Sequence, residues 1–142
     1  MMIGGQQYPG KIGRTYLSDI LTGEWTEGPK LEMARAFHSC GLFELNGKKW
    51  VLVIGGESQD GSYLTSVEYL DVAATIEDGW KPIAPLPSGL FDPVVVSLGN
   101  RLVVMGGTLE GYEESLDIYE FVCPRPNIWR GANGRGFEEK VD

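Results

Sequence analysis

The sequence predicts an all-β protein, an incomplete β-propeller of about 2.75 four-stranded antiparallel blades that cannot close a ring. Three observations support this fold class. An apolar strand runs into a Gly-Gly pair three times, starting at Gly4, Gly55 and Gly106, and both intervals are 51 residues. Each pair is followed by a further strand that ends near an acidic residue, and then by a Trp. No segment has a convincing helical period.

The residues that follow the glycine pairs also recur. The first pair precedes Ser18-Asp19 and Trp25, the second Leu70-Asp71 and Trp80, and the third Tyr119-Glu120 and Trp129. We interpret the repeated Trp as a packing wedge between neighbouring blades. The predicted structural residues of the repeat are Gly4, Gly5, Trp25, Gly55, Gly56, Trp80, Gly106, Gly107, Tyr119 and Trp129.

These landmarks divide the chain into units. Repeats are predicted over residues 1–131: a partial blade at 1–31 that lacks its first strand, a complete blade at 37–86, and a blade at 92–131 with a degenerate last strand. Asn46-Gly47 is a type I′ hairpin signal between the first two strands of the complete blade. Residues 132–142 are rich in glycine and charge and are expected to form a flexible tail.

The glycine pairs could mark either a phosphate-binding loop or a crowded backbone. A phosphate loop of the Walker type needs Lys and Ser or Thr after its glycine, whereas Glu57 and Asp60 follow the second pair. Glycine also permits a positive φ and a close approach of two backbones. We therefore interpret the pairs as architectural.

Charge and composition exclude several classes of partner. The chain has 12 basic and 20 acidic residues, a net charge of −8, which argues against nucleic acid and anionic membranes. It has no run of 18 apolar residues, so no membrane span is predicted. Cys40 and Cys123 are expected to be free thiols among apolar core neighbours. With no signal peptide and no Asn-x-Ser/Thr acceptor, a cytoplasmic location is predicted.

No catalytic or metal site is predicted. His38 is the only histidine, which excludes a site with several His ligands inside this chain. Its neighbour Ser39 would point to the opposite face of a strand, while Cys40 could share its face. The acidic loop residues lack EF-hand spacing and are interpreted as solvated. The chain is therefore predicted not to be an enzyme and to need no cofactor.

The repeat resembles the kelch family over roughly residues 1–131. The resemblance is carried by the three Gly-Gly pairs, the acidic positions, the three repeated Trp residues, the Pro-Leu-Pro of residues 85–87 and the ARAFHS of residues 34–39. Ser18 and Leu70 stand where the family usually has Tyr. The resemblance implies a partial kelch-type propeller.

The resemblance also implies a binding face. In kelch propellers, the loops after the Gly-Gly strands and the segments between blades lie on one common face. Here these are residues 6–14, 57–63 and 108–114, with 30–35 and 88–92 between blades. The predicted contact residues on this face are Tyr8, Lys11, Arg14, Arg35, Glu57, Asp60, Tyr63, Phe91, Tyr112 and Glu113.

The function implied is a non-catalytic protein-interaction module that binds a protein or peptide. It would belong to an adaptor, such as a substrate-recognition arm of a cullin-RING ubiquitin ligase, or to a cytoskeletal scaffold. The alternative is a piece of a carbohydrate-binding or carbohydrate-modifying propeller, like the galactose oxidases or sialic acid epimerases. The copper site of those oxidases needs His ligands from several blades, and this chain has one His.

The short array leaves three interpretations of the chain open. It is a fragment or truncated product, it associates with copies of itself or a partner through exposed blade edges, or it stands as an open arc.

Overall fold

The structure is a computed structural model that describes residues 1–73, 76–122 and 128–131. Within these residues the chain forms β-strands and one short 3₁₀ helix, Ile76–Asp78, with no α-helix. The strands make three antiparallel sheets, and none of them closes on itself. The predicted all-β, partial-propeller fold class is thereby confirmed. The predicted tail at 132–142 and Cys123 lie outside the described residues.

Each sheet is built from consecutive strands. The first contains β1 (Met2–Gln7), β2 (Gly10–Ser18) and β3 (Trp25–Glu27). The second contains β4 (Ser39–Leu45), β5 (Lys48–Ile54), β6 (Val67–Asp71) and β7 (Lys81–Ile83). The third contains β8 (Val94–Ser97), β9 (Leu102–Met105), β10 (Ile118–Val122) and β11 (Ile128–Gly131). Neighbours in sequence are neighbours in each sheet, which is the meander pattern of propeller blades.

The second Gly-Gly pair shows why glycine is needed at the end of β5. Gly55 and Gly56 have φ values of +63° and +94°, which side chains other than glycine rarely adopt. A Cβ on Gly56 would also lie only 2.5 Å from the carbonyl oxygen of Ala36. The pair therefore combines a left-handed turn with close contact to the segment between blades, as the architectural interpretation requires.

The strand register corrects the match of the third repeat to the second. Leu70 on β6 is paired with Val51 on β5, and Phe121 on β10 is paired with Leu102 on β9. Since Val51 and Leu102 are one repeat of 51 residues apart, Phe121 is the equivalent of Leu70. Tyr119, which we matched with Leu70, occupies the position of Glu68 instead, so the predicted match is wrong by two residues.

The repeated Trp residues join successive sheets. The indole N–H of Trp80 donates to the carbonyl oxygen of Pro29 at 2.9 Å, and that of Trp129 donates to the carbonyl oxygen of Ala84 at 2.9 Å. Each acceptor lies four residues after the Trp of the preceding sheet. Trp80 and Trp129 are buried, whereas Trp25 is 53% exposed.

The hydrophobic core lies mainly between the second and third sheets. Its buried members include Phe43, Leu52, Leu102, Phe121 and Trp129. A smaller cluster links the first and second sheets and is formed by Leu31, Val53, Leu70 and Trp80.

Cys40 does not belong to this core, contrary to the expectation. It is exposed on β4, because strand alternation points Gly41 and Phe43 toward the buried side. Although the residue is exposed, the protein around its sulfur reduces solvation enough to raise the pKa to about 11, so the thiol is protonated at neutral pH.

Candidate binding surface

The loops after the glycine pairs are positioned by backbone pairing. Glu57 bridges Ala36 on one side and Tyr63 on the other, while Thr108 bridges Phe91 and Glu114 in the same way. The amides of Glu57 and Thr108 each donate to the carbonyl of the preceding interblade segment, at 2.8 Å. Each loop is therefore fixed against the segment that enters its own blade.

Side-chain contacts connect the three loops to each other. The Lys11 ammonium of the first loop lies 2.6 Å from the Glu57 carboxylate of the second. The Lys11 amide also donates to Gln59 Oε1 at 2.6 Å. The Tyr63 amide of the second loop donates to Glu110 Oε1 of the third at 2.8 Å. Residues from all three sheets thus form one continuous surface, which we call the loop surface.

Three aromatic rings cross the loop surface, and we call them the aromatic row: Phe37, Phe91 and Tyr63. Phe37 stacks on Phe91 with ring centroids 4.6 Å apart, and Tyr63 lies 5.2 Å from Phe91. The Lys11 ammonium lies 5.0 Å from the centroid of Phe37, which is cation–π distance. The row therefore connects the segments that enter the second and third blades with the second loop, and Lys11 of the first loop lies at its Phe37 end.

Phe37 is the member that sequence reasoning missed. It is 43% exposed and has φ of +53°, an unfavourable backbone conformation for a bulky residue. Its equivalent in the next repeat is Asp92, with φ of +52°. Such conformations concentrate at ligand sites. The only sequence signal was a Phe in the ARAFHS stretch at a position where its equivalent is polar.

The other predicted contact residues fall into three groups. Lys11, Glu57, Tyr63 and Phe91 are brought together. Asp60 holds its own loop, because the hydroxyls of Ser58 and Ser62 donate to its carboxylate and lower its pKa to about 2. Four further members are exposed on the first and third loops, with Tyr8 at 92% and Tyr112 at 87%: Tyr8, Arg14, Tyr112 and Glu113.

Arg35 is not on the loop surface, and its predicted role as a contact residue is corrected. The side chain is fully buried. Its guanidinium donates to Glu68 Oε1 at 2.6 Å and to the carbonyl oxygens of Gly55 and Ser66, both at 2.9 Å. The Glu68 carboxylate also accepts the backbone N–H groups of Glu32 and Met33, at 2.8 and 3.1 Å. The pair therefore fixes the segment between the first two blades beneath the surface.

His38 lies on the same interblade segment as Arg35. Its side chain is packed between Gly4 of the first glycine pair and Gly56 of the second. A Cβ on Gly4 would come within 2.9 Å of its ring, and one on Gly56 within 2.9 Å of its Cβ. Its Nδ1 is buried and has no hydrogen-bond partner within the described residues. Burial, followed by the charge of Arg35, lowers the pKa of His38, while the Ile3 carbonyl and Glu68 act in the opposite direction.

This environment predicts a pH-dependent stability. The folded pKa of His38 lies below its ordinary value of 6.5, so the unfolded chain binds the proton more readily. The contribution of neutral His38 is fully present above about pH 6.5 and is lost as the pH falls through the folded pKa. Thermal melts at pH 7.5 and 5.5 should show Tm falling by about 3 °C more in the natural chain than in His38→Gln. Equal falls in both proteins would contradict this assignment.

Residues 1–73, 76–122 and 128–131 hold no group of three or more His, Cys, Asp and Glu side chains that is arranged to bind a metal ion. Among them, no helix has the length and apolar character needed to cross a membrane.

Comparison with known proteins found no matching family model but several kelch-repeat relatives. The chain is 30% identical over 120 residues, 82% of its length, to an F-box/kelch-repeat protein of Arabidopsis thaliana. It is 31% identical over 130 residues, 86% of its length, to Kelch-like protein 15 of Danio rerio, and 33% identical over 81 residues, 57% of its length, to Kelch-like protein 22 of Rattus norvegicus.

The chain spans 29%, 20% and 12% of these three relatives. The four-stranded sheets, the glycine pairs that end their second strands and the similarity to these proteins agree in one assignment. The repeats of this chain are kelch repeats.

Proposed function

We propose that this chain is a protein-interaction module that captures protein or peptide partners on its loop surface. The observation that carries the proposal is the aromatic row, which connects the segments entering the second and third blades with the second loop and leaves Phe37 43% exposed. Aromatic side chains supply a large contact area and have few rotatable bonds that lose freedom on binding. They are enriched at protein interfaces. Tyr8 on the first loop and Tyr112 on the third add two exposed rings.

The rigidity of the surface supports the same function. The loops are paired to their interblade segments and connected to each other by Lys11–Glu57 and by the Tyr63 amide with Glu110. A preformed surface loses little conformational entropy on binding. The kelch similarity further favours an adaptor, such as the substrate-recognition arm of a cullin-RING ubiquitin ligase, as the larger protein that would use this module.

Partner capture by the full 142-residue chain tests this proposal. The immobilised chain is incubated with cell extract, and retained proteins are quantified by mass spectrometry. The loop-surface variant Phe37→Ala/Tyr112→Ala should lose specific partners by about tenfold or more, because central aromatic residues dominate interface energies. A matched control is Ile20→Ala/Leu21→Ala, which removes two side chains that are 93% and 92% exposed at the other end of β2.

Thermal melts of both variants establish that each is folded. Retention of partners by the control and their loss from the loop-surface variant supports the proposal. If both variants capture the same proteins equally well, the loop surface is not the binding face.

A further inference from the structure

We propose that the loop surface selects a basic, arginine-bearing peptide segment of its partner. This inference rests on the proposed function and adds the chemistry of the ligand. Three features of the surface support it: the charge of the loops, a cation that the surface already binds, and the rings that are exposed.

The third loop and the interblade segment beside it are negative, and much of that charge is not compensated. The loop at 108–114 carries Glu110, Glu113 and Glu114, and Asp92 lies on the adjoining interblade segment. Within the described residues, the side chains of Asp92, Glu113 and Glu114 are exposed and form no ion pair. The Lys11 ammonium is already paired with Glu57. A cationic partner would therefore be attracted, and an acidic one repelled.

Lys11 shows how this surface holds a cation. Its ammonium lies over the Phe37 ring, 5.0 Å from the centroid, and 2.6 Å from the Glu57 carboxylate. One cation is thus bound by an aromatic face and a carboxylate together. This intramolecular contact is an example, on the same surface, of the chemistry that the proposal assigns to the partner.

The third loop also combines an aromatic ring with carboxylates, and within the described residues no basic side chain pairs with them. The Tyr63 amide holds Glu110 beside the second loop, at 2.8 Å, and Tyr112 is 87% exposed on the third. Desolvation, followed by the proximity of Tyr112, Glu57 and Glu110, raises the pKa of Tyr63, in agreement with a negative field around these rings. The third loop and the neighbouring Tyr63 therefore offer a partner an aromatic surface bordered by carboxylates.

Arginine fits this position better than lysine. Its planar guanidinium stacks on aromatic faces and can donate two parallel hydrogen bonds to a carboxylate. It is also less strongly hydrated than an ammonium group, so its transfer from water to an aromatic surface costs less. A partner segment with one or more arginines would use both the rings and the carboxylates of the third loop.

Fluorescence anisotropy with defined peptides tests the inference on the full 142-residue chain. Three labelled Gly-Ser peptides of equal length carry Arg, Lys or Glu at the same positions. The Arg peptide should bind more tightly than the Lys peptide, and the Glu peptide should not bind. Raising the salt concentration should weaken binding, because exposed charges are screened.

Paired variants locate the site. The variant Glu110→Gln/Glu113→Gln keeps an oxygen acceptor at position 110. It should lower the affinity for the Arg peptide by about tenfold. The matched control Glu24→Gln/Glu27→Gln removes the same charge from the exposed far end of the first sheet and should change the affinity by less than about twofold. Tyr112→Ala should weaken Arg binding by about threefold.

Three results would overturn the inference: binding of the Glu peptide as tight as that of the Arg peptide, equal weakening by both charge variants, or no binding of any peptide. If extract capture still depends on Phe37 and Tyr112 in that case, the proposed function stands and only the ligand chemistry is wrong. If capture is also insensitive to those residues, both proposals fail.

Discussion

Glu68→Gln should lower the free energy of unfolding by about 3–5 kcal/mol. The substitution removes the countercharge of Arg35, whose side chain is fully buried and whose guanidinium lies 2.6 Å from the carboxylate. A buried cation without its partner keeps its desolvation cost and loses its compensation. Urea unfolding of the natural chain and the variant, followed by tryptophan fluorescence, measures the difference.

The control is Glu120→Gln, which breaks an ion pair with Arg101 at the same 2.6 Å distance. Because the Arg101 side chain is 57% exposed, this change should cost less than about 1 kcal/mol. The double variant Arg35→Met/Glu68→Met should lose less free energy of unfolding than the sum of the losses of its two single variants, since no unpaired charge remains. Equal small losses for Glu68→Gln and Glu120→Gln would show that the buried pair does not stabilise the interblade segment.

Trp80→Ala should lower the free energy of unfolding by about 3–5 kcal/mol as well. Its ring is 3% exposed and packs with Leu31, Val53 and Leu70 at the junction of the first two sheets. The change also leaves the Pro29 carbonyl without the indole N–H that lies 2.9 Å away. Thermal or urea unfolding measures the loss.

Trp25→Ala is the natural comparison, because Trp25 occupies the same place in the first repeat but is 53% exposed. It should cost less than about 1 kcal/mol. Trp80→Phe keeps most of the ring and removes the N–H, so its cost should fall between the two. A loss at Trp25 as large as that at Trp80 would mean that junction packing is not what the repeated Trp provides.

The fold class follows from the sequence because its landmarks are local and periodic. A glycine pair at the end of an apolar strand needs a positive φ wherever it occurs, so three pairs at one interval of 51 residues predict three equal turns. The Asn46-Gly47 hairpin is predicted in the same way, and both residues have positive φ in the structure. These features depend on few residues and on no distant partner.

The alignment of the third repeat with the second could not be predicted from such local landmarks. Tyr119 and Phe121 are two residues apart, so both face the same side of β10 and both are buried. An error of two residues therefore preserves the hydrophobic pattern. Only the pairing of Phe121 with Leu102 distinguishes the two matches.

The candidate site was predicted in part for a similar reason. Contacts of Lys11 with Glu57 and of the Tyr63 amide with Glu110 join the three loops. Whether a charged side chain on them is buried or exposed, however, depends on residues far along the chain. Arg35 is buried because Glu68, 33 residues later, lies opposite it. Phe37 joins the aromatic row because Phe91, 54 residues later, provides a ring to stack on. Such pairings are set by the packing of blades and leave no local pattern.

The two indole hydrogen bonds between sheets also bear on the order in which blades can dock during synthesis. The acceptor of Trp80 is Pro29, and the acceptor of Trp129 is Ala84, so each acceptor leaves the ribosome before its donor. A new blade can be fastened to a finished one as soon as its last strand has been synthesised. We therefore expect blades to dock in order from the amino terminus toward the carboxyl terminus, each onto a surface that has already been synthesised.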